Sequence, residues 1–179
     1  MSTTARIAVG IFAMVFAGWL VFSSADAGAP SDGGGVELKT IKYPDLVKAV
    51  RDQRGKVIVV DLWGDFCVPC KREFPRLVEL HRQYGDKGLV CMSVALDAPA
   101  DPNVPAPPPG VLKFLLAKKA TFANYWLNED AQVWKRFGIE AVPAVFVFDR
   151  QGRRAAKFTQ DFDYTDVRKL VEKLLAPPS

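Results

Sequence analysis

An unbroken apolar run, Val57-Ile58-Val59-Val60, leads through Asp61-Leu62-Trp63 to a Cys-x-x-Cys, Cys67-Val68-Pro69-Cys70. This junction constrains the fold more than any other part of the chain. A short apolar run bounded by polar residues is the pattern of a strand buried on both faces. Beyond the first cysteine, Phe74, Leu77, Val78, Leu80 and Tyr84 recur at helical spacing. The two cysteines therefore stand where a buried strand turns into a helix. A strand covered on both faces needs helices on both sides of its sheet, which makes this an α/β protein.

The remaining elements fit that class. Strands are predicted over Val36 to Ile41, Lys56 to Trp63, Leu89 to Leu96, Ala144 to Phe148 and Arg153 to Thr159. Helices are predicted over Pro44 to Gln53, Cys67 to Tyr84, Val111 to Lys119, Glu129 to Phe137 and Asp163 to Leu175. Pro75 falls inside the second helix and predicts a kink. Strands joined by helices run parallel, and the last two, joined by Asp149-Arg150-Gln151-Gly152, form an antiparallel hairpin. Ala98 to Gly110 is crowded with proline and reads as an ordered or semi-rigid surface loop. No internal repeat is evident.

The N-terminus differs in kind. Arg6 precedes an uncharged apolar run from Ile7 to Phe22, followed by Ala25-Asp26-Ala27. This is the pattern of a secretory signal cleaved after Ala27, and equally of a retained membrane anchor. The run has no polar face, which argues against a core helix. Residues 1–27 are thus read as signal peptide or anchor, residues 28–35, rich in glycine, as a flexible linker, and residues 36–179 as the folded domain. Either fate of the leader places the domain outside the cytoplasm, where a cysteine pair can carry redox chemistry.

A Cys-x-x-Cys at a helix start has a specific use. Unpaired N–H groups and the positive end of the helix dipole stabilise a thiolate on Cys67 and make it the nucleophile. Cys70, one turn further in, resolves the mixed disulfide that Cys67 forms with a substrate. Pro69 fits the first helical turn, where no N–H is needed. Two plainer readings stand beside this one. A structural zinc half-site would need two more ligands. An inert disulfide would close too short a loop to add much stability.

The segment Cys67-Val68-Pro69-Cys70-Lys71-Arg72-Glu73-Phe74-Pro75 resembles the active site of the thioredoxin superfamily, most closely its membrane-tethered TlpA/ResA branch. The likeness runs from about Val36 to the C-terminus. It implies a thioredoxin fold, a central mixed β-sheet flanked by helices, here with an inserted proline-rich loop and an extra helix. It places Trp63 at the family's tryptophan, Pro75 at its helix kink, Asp61 at its buried acid and Val142-Pro143 at its cis-proline. By that correspondence Asp61 accepts the proton of Cys70, and Glu73 tunes the cysteines. Trp63, Val68, Pro69, Val142 and Pro143 shape the substrate surface. A strand-end carboxylate at Asp61 is in any case desolvated and raised in pKa. Asp61 also reads as an ordinary strand-end carboxylate, Glu73 as a solvent-facing charge and Trp63 as core. The sequence departs from the family at Phe66, where a tryptophan is usual, and at Asp61, where the branch often has Asn. Asp65 adds a negative charge that opposes thiolate formation at Cys67.

Composition narrows the function classes. The net charge is +4 with no long single-sign block, which points away from nucleic acid. Three cysteines are too few for a disulfide scaffold, and His81 is the only histidine, so one chain cannot readily assemble a Cys/His metal cluster. Cys91, flanked by apolar neighbours in a strand, reads as a buried inert thiol. The regions around Trp126 and Trp134 read equally as core or surface.

The expected activity is thiol–disulfide exchange with no bound cofactor, the redox-active disulfide Cys67–Cys70 taking that part. The family resemblance favours the reducing direction. It implies exported proteins with disulfides as partners, cysteines of apocytochromes c among them, and a membrane electron donor. A Cu(I)-binding metallochaperone on the same fold is the alternative from another class, since two thiolates suit a soft ion. No further soft ligand lies near the pair in sequence. A peroxidase would need a lone reactive cysteine, which the Cys-x-x-Cys argues against.

Overall fold

The computed structural model describes Met1 and residues 35–177, apart from residues 100, 102 and 105. The leader and linker readings concern residues 1–35, of which Met1 and Gly35 alone are described.

The centre of the fold is strand β2 (Val57–Trp63), every residue of which is buried. It pairs in parallel with β3 (Leu89–Ala95) on one edge and antiparallel with β5 (Ala144–Phe148) on the other. Three further strands complete the sheet: β1 (Lys39–Ile41), β4 (Ala123–Leu127) and β6 (Arg154–Thr159). The strand order is β1-β4-β3-β2-β5-β6, parallel on the β1 side and antiparallel from β2 outward.

Alternation along β2 divides the core into two layers. Val57, Val59 and Trp63 pack beneath α2 (Val68–Tyr84), α3 (Pro109–Lys118) and α5 (Tyr164–Leu175). Ile58, Val60 and Leu62 pack on the other side against α1 (Tyr43–Arg51) and α4 (Val133–Phe137). Helix α2 continues through Pro75 and passes by way of a 3₁₀ turn (Gly85–Lys87) into β3. Gly138 ends α4 at φ 67°, a conformation that favours glycine.

The structure corrects the sequence reading at several elements. Strand β4 was not foreseen; the segment between the third and fourth helices was read without one. Its residues, Ala-Asn-Tyr-Trp-Leu, contain no run of branched aliphatics, and its buried polar residue Asn124 breaks the apolar pattern. The first strand is shorter than Val36 to Ile41, because only Lys39, Thr40 and Ile41 find partners, on β4. Helix α4 begins at Val133 rather than Glu129. Glu129 instead accepts a hydrogen bond from the backbone N–H of Tyr43 at 3.0 Å and so caps the start of α1. The described part of the proline-rich segment holds one isolated bridge, Asp101 to Val104, before α3 begins at Pro109. Trp126 is fully buried and donates its indole N–H to the Asp97 carbonyl at 2.8 Å, which settles it as core.

Asn124 is a tie between layers of the chain. Its amide donates to the carbonyls of Ala120 and Phe122, both at 2.8 Å, and of Glu37 at 3.1 Å, and its Oδ1 accepts from the Ser93 hydroxyl at 2.8 Å. Asn124→Ala leaves several buried polar groups unpaired and is expected to cost about 3 kcal/mol, read from the urea midpoint. A loss below about 1 kcal/mol would mean that these groups find other partners.

Candidate active site

The site is built where β2 ends. The parallel register of β2 on β3 places Trp63 opposite Ala95, so both strands finish at the same edge of the sheet and the chain leaves them side by side. After Trp63 the loop 64–66 is held by Asp97, whose Oδ1 accepts the backbone N–H of Asp65 at 2.8 Å. The N–H of Cys67 closes a tight turn on the Gly64 carbonyl at 3.0 Å. Helix α3 starts directly against this loop: a Cβ at Gly110 would lie 2.0 Å from Asp65 Oδ2, so any larger residue there would push the Asp65 side chain aside. Lys71 pairs with Asp65 at 3.1 Å and offsets the charge expected to oppose a thiolate.

Cys67 is the N-cap of α2 and is joined to Cys70 by a disulfide, with Cα atoms 5.3 Å apart. The Cys70 backbone N–H donates to Cys67 Sγ at 3.2 Å. The same sulfur lies 3.7 Å from the Val142 carbonyl oxygen. The Val142–Pro143 peptide bond is cis, and both residues are half-buried beside the disulfide at the entry to β5. Cys67 is 6% exposed and Cys70 3%, whereas Phe66 is 61% and Val68 72% exposed. A nearly buried disulfide thus sits within an exposed apolar rim to which Pro69 also belongs.

Asp61 lies on the face of β2 that carries Val59 and Trp63, the face against which the cysteines pack. It is buried, and the hydroxyl of Tyr164 donates to its Oδ2 at 2.9 Å. Burial raises its pKa to about 7, with the Tyr164 hydrogen bond pulling the other way. A carboxylate that titrates near neutrality suits the role of proton acceptor. Asp97 is raised in the same direction, chiefly by burial, with the nearby Asp65 carboxylate adding to it and backbone N–H donors opposing it.

The sequence-derived candidates are not all brought together. Cys67, Cys70, Val68, Pro69, Val142 and Pro143 form one surface around the disulfide, with Asp61 in the layer beneath. Trp63 is wholly buried, packed edge-on against Phe74 at 5.3 Å and tilted against Phe114 at 5.0 Å. Its placement on the substrate surface is therefore corrected: it supports the site from below. Glu73 pairs with Arg72 at 3.0 Å and lines a polar cleft of about 200 Å³ between α2 and α5, beside Tyr164. Cys91 is buried and unpaired with another cysteine, and burial pushes its thiol well up. Among the described residues no group of three or more His, Cys, Asp or Glu side chains is placed to hold a metal ion.

Sequence reasoning missed Tyr164 and Asp97. Tyr164 belongs to the stripe Tyr164, Val167, Val171 on α5, so its inward direction was readable, but its partner depended on topology. Asp97 follows β3 by two residues, and parallel pairing of β2 with β3 would have set it beside the loop before Cys67.

Comparison with known proteins agrees with this geometry. The AhpC/TSA family is matched over residues 36–154. The thiol-disulfide oxidoreductase ResA of Geobacillus thermodenitrificans is 29% identical over 123 residues, covering 69% of this chain and 66% of that protein. The chain thus spans just under two thirds of that relative. ResA of Bacillus subtilis is 23% identical over 139 residues, 76% of this chain and 73% of the other. Among solved structures, a putative thiol:disulfide interchange protein DsbE from Chlorobium tepidum superimposes with a TM-score of 0.58 at 25% identity, covering 71% of this chain and 85% of that one. The fold is the thioredoxin fold.

The buried Asp61 makes stability depend on pH. Its pKa is raised from 3.8 to about 7 on folding. Between those values the native state holds a proton that the unfolded state has lost, so stability falls as pH rises through that window. Asp61→Asn is expected to match the wild type near pH 4 and to exceed it at pH 8 by up to about 4 kcal/mol, read from urea midpoints of the oxidised proteins. A stability gap that stays constant across that range would remove Asp61 as the source.

Proposed function

The chain belongs to the AhpC/TSA family, and from that premise we propose that it is a thiol–disulfide oxidoreductase of the ResA/DsbE type that reduces protein disulfides outside the cytoplasm. The observation that carries this reading is the Cys67–Cys70 disulfide at the start of α2, nearly buried inside an exposed apolar rim.

In the reduced protein, the Cys70 N–H at 3.2 Å and the helix N-terminus favour a thiolate on Cys67. That thiolate attacks a substrate disulfide and releases the first substrate thiolate. Cys70, deprotonated by Asp61, then attacks Cys67 Sγ, closes the Cys67–Cys70 bond and releases the second. Two electrons pass from the pair to the substrate. The half-buried backbone around Val142 lies beside the sulfur, where an extended substrate segment can pair with it. Phe66, Val68 and Pro69 offer apolar contact on the other side.

The reducing direction has physical support. A pair becomes a strong oxidant when its reduced form is strongly stabilised. Here the nucleophilic sulfur is almost desolvated, which works against such stabilisation. The N-terminal pattern of Arg6, an apolar run and Ala25-Asp26-Ala27 supports export, by a cleaved signal or a retained anchor. The substrates are then exported proteins, cysteines of apocytochromes c among them. A membrane electron donor re-reduces the pair, and no bound cofactor takes part.

The reduction potential of the Cys67–Cys70 pair tests the reading, measured by equilibration against glutathione or dithiothreitol. A value at or below roughly −270 mV is expected for a reductant, and one near about −120 mV would make the protein an oxidant. Absence of a reversible two-electron couple would end the oxidoreductase reading and turn attention to Cu(I) titration. In the same assay Cys70→Ser is expected to accumulate a mixed disulfide with a model substrate, detected by mass, because the resolving thiol is gone.

A further inference from the structure

Among the described residues, Tyr164 is the side chain for which the structure records a hydrogen bond to the Asp61 carboxylate. It starts α5, is buried, and its hydroxyl reaches the carboxylate from the opposite end of the chain, 103 residues away. It is also part of the wall of the polar cleft between α2 and α5.

We propose that Tyr164 is a positioning residue for the resolving step: its hydroxyl holds the Asp61 carboxyl group in place and favours the ionised form that takes the proton from Cys70. The proposal rests on the oxidoreductase reading above and adds to it the group that holds its acid–base residue.

The step balances as follows. The Cys70 S–H bond breaks and its proton goes to Asp61. The Cys70 sulfur bonds to Cys67 Sγ, the bond between Cys67 and the substrate sulfur breaks, and the substrate leaves as a thiolate. When the pair is reduced again, Cys70 leaves as a thiolate and takes that proton back from Asp61, so the carboxyl group acts as base in one half of the cycle and as acid in the other. The Tyr164 hydroxyl, donating to Oδ2, fixes the carboxyl group and favours its ionised form, the form that accepts the Cys70 proton.

The surroundings of Asp61 are defined. Tyr164 faces it from α5, its charge is felt by Cys91 on β3, and the cysteine pair lies on the same side of the sheet at the start of α2. Beyond Tyr164 the cleft carries Glu73 and Arg76 from α2 and Asp163 and Arg168 from α5. Arg168 is already engaged with Glu79 at 3.2 Å and Arg76 with Glu79 at 3.5 Å, which leaves Glu73 as the carboxylate beside the tyrosine that acts on it. This places Glu73 on the cleft side of Tyr164.

The test separates the two chemical steps in the full-length protein. Attack by Cys67 is followed in the Cys70→Ser background, and resolution is followed by substrate release from the mixed disulfide in stopped flow. Tyr164→Phe keeps the ring and removes the donor. It is expected to slow resolution by at least about tenfold, as loss of a hydrogen bond to a charged group does. It is also expected to raise the midpoint of the resolution pH profile by about one pH unit and to leave the attack step unchanged. Substitution of 3-fluorotyrosine at the same position, a stronger donor of similar size, is expected to move the midpoint down. An unchanged profile in Tyr164→Phe, equal slowing of both steps, or shifts of the same sign in both variants would overturn the role of Tyr164. A wild-type protein with no attack step at all would overturn the oxidoreductase reading instead.

Discussion

Strand β2 is hydrogen-bonded along both edges and buried on both faces, and the position of everything at the active site follows from that confinement. A strand held on four sides cannot shift register without turning its apolar set from one core layer into the other. Its last residue, Trp63, is locked between Phe74 and Phe114. The chain then has only Gly64, Asp65 and Phe66 in which to turn before Cys67 caps α2. With the strand fixed and Phe74 of the same helix packed on its terminal tryptophan, the nucleophilic sulfur has one place to be. The antiparallel neighbour β5 sets the other wall, because the Val142 carbonyl just ahead of it meets that sulfur.

The same confinement explains why polar groups at this end of the sheet behave unusually. Asp61 cannot reach water from inside β2, so burial raises it to about 7, and only the hydroxyl of Tyr164 moderates the effect. Asp97 is less enclosed and draws on the backbone of the active-site loop for its hydrogen bond. One carboxylate thus lies buried below the disulfide with a pKa near neutrality, as the proposed proton acceptor requires, while the other fastens the loop beside it. Both cost stability when ionised, and both sit where the sheet's parallel strands end, the place at which open α/β sheets present ligands and reacting groups.

How much of this was legible in the sequence depended on whether a residue's role was local. The apolar run into Asp61, the Cys-x-x-Cys and the helical spacing after it are contiguous, so the strand, the helix start and the cysteine pair could be read directly. Asp61 could be singled out because a lone carboxylate in an apolar strand is anomalous wherever the strand is placed. Strand β4 was hidden because its burial comes from aromatic rings and from Asn124, whose four hydrogen bonds make a polar residue acceptable in the core. Trp63 was read as substrate surface by the family correspondence and equally as core; the alternation of β2 decides for the core, directing it into the layer under α2 and α3. Tyr164 and Asp97 were invisible as site residues because their partners lie far away in the chain and are brought near only by the crossover of α5 and the parallel register of β2 and β3.

The distribution of exposure around the disulfide bears on how a protein substrate is engaged. With the cysteines almost covered and Phe66 and Val68 protruding, a partner must first bury that apolar rim before its own disulfide reaches Cys67. Contact of this kind excludes water from the reacting sulfurs, which strengthens the local electrostatics and removes bulk solvent as a proton acceptor. A site closed from the front needs an acid–base group supplied from behind. Asp61, set in the sheet below and held by the Tyr164 hydroxyl, has that geometry. The apolar rim and the buried carboxylate are therefore two halves of one arrangement: the more completely the substrate seals the front, the more the chemistry depends on the polar group in the core.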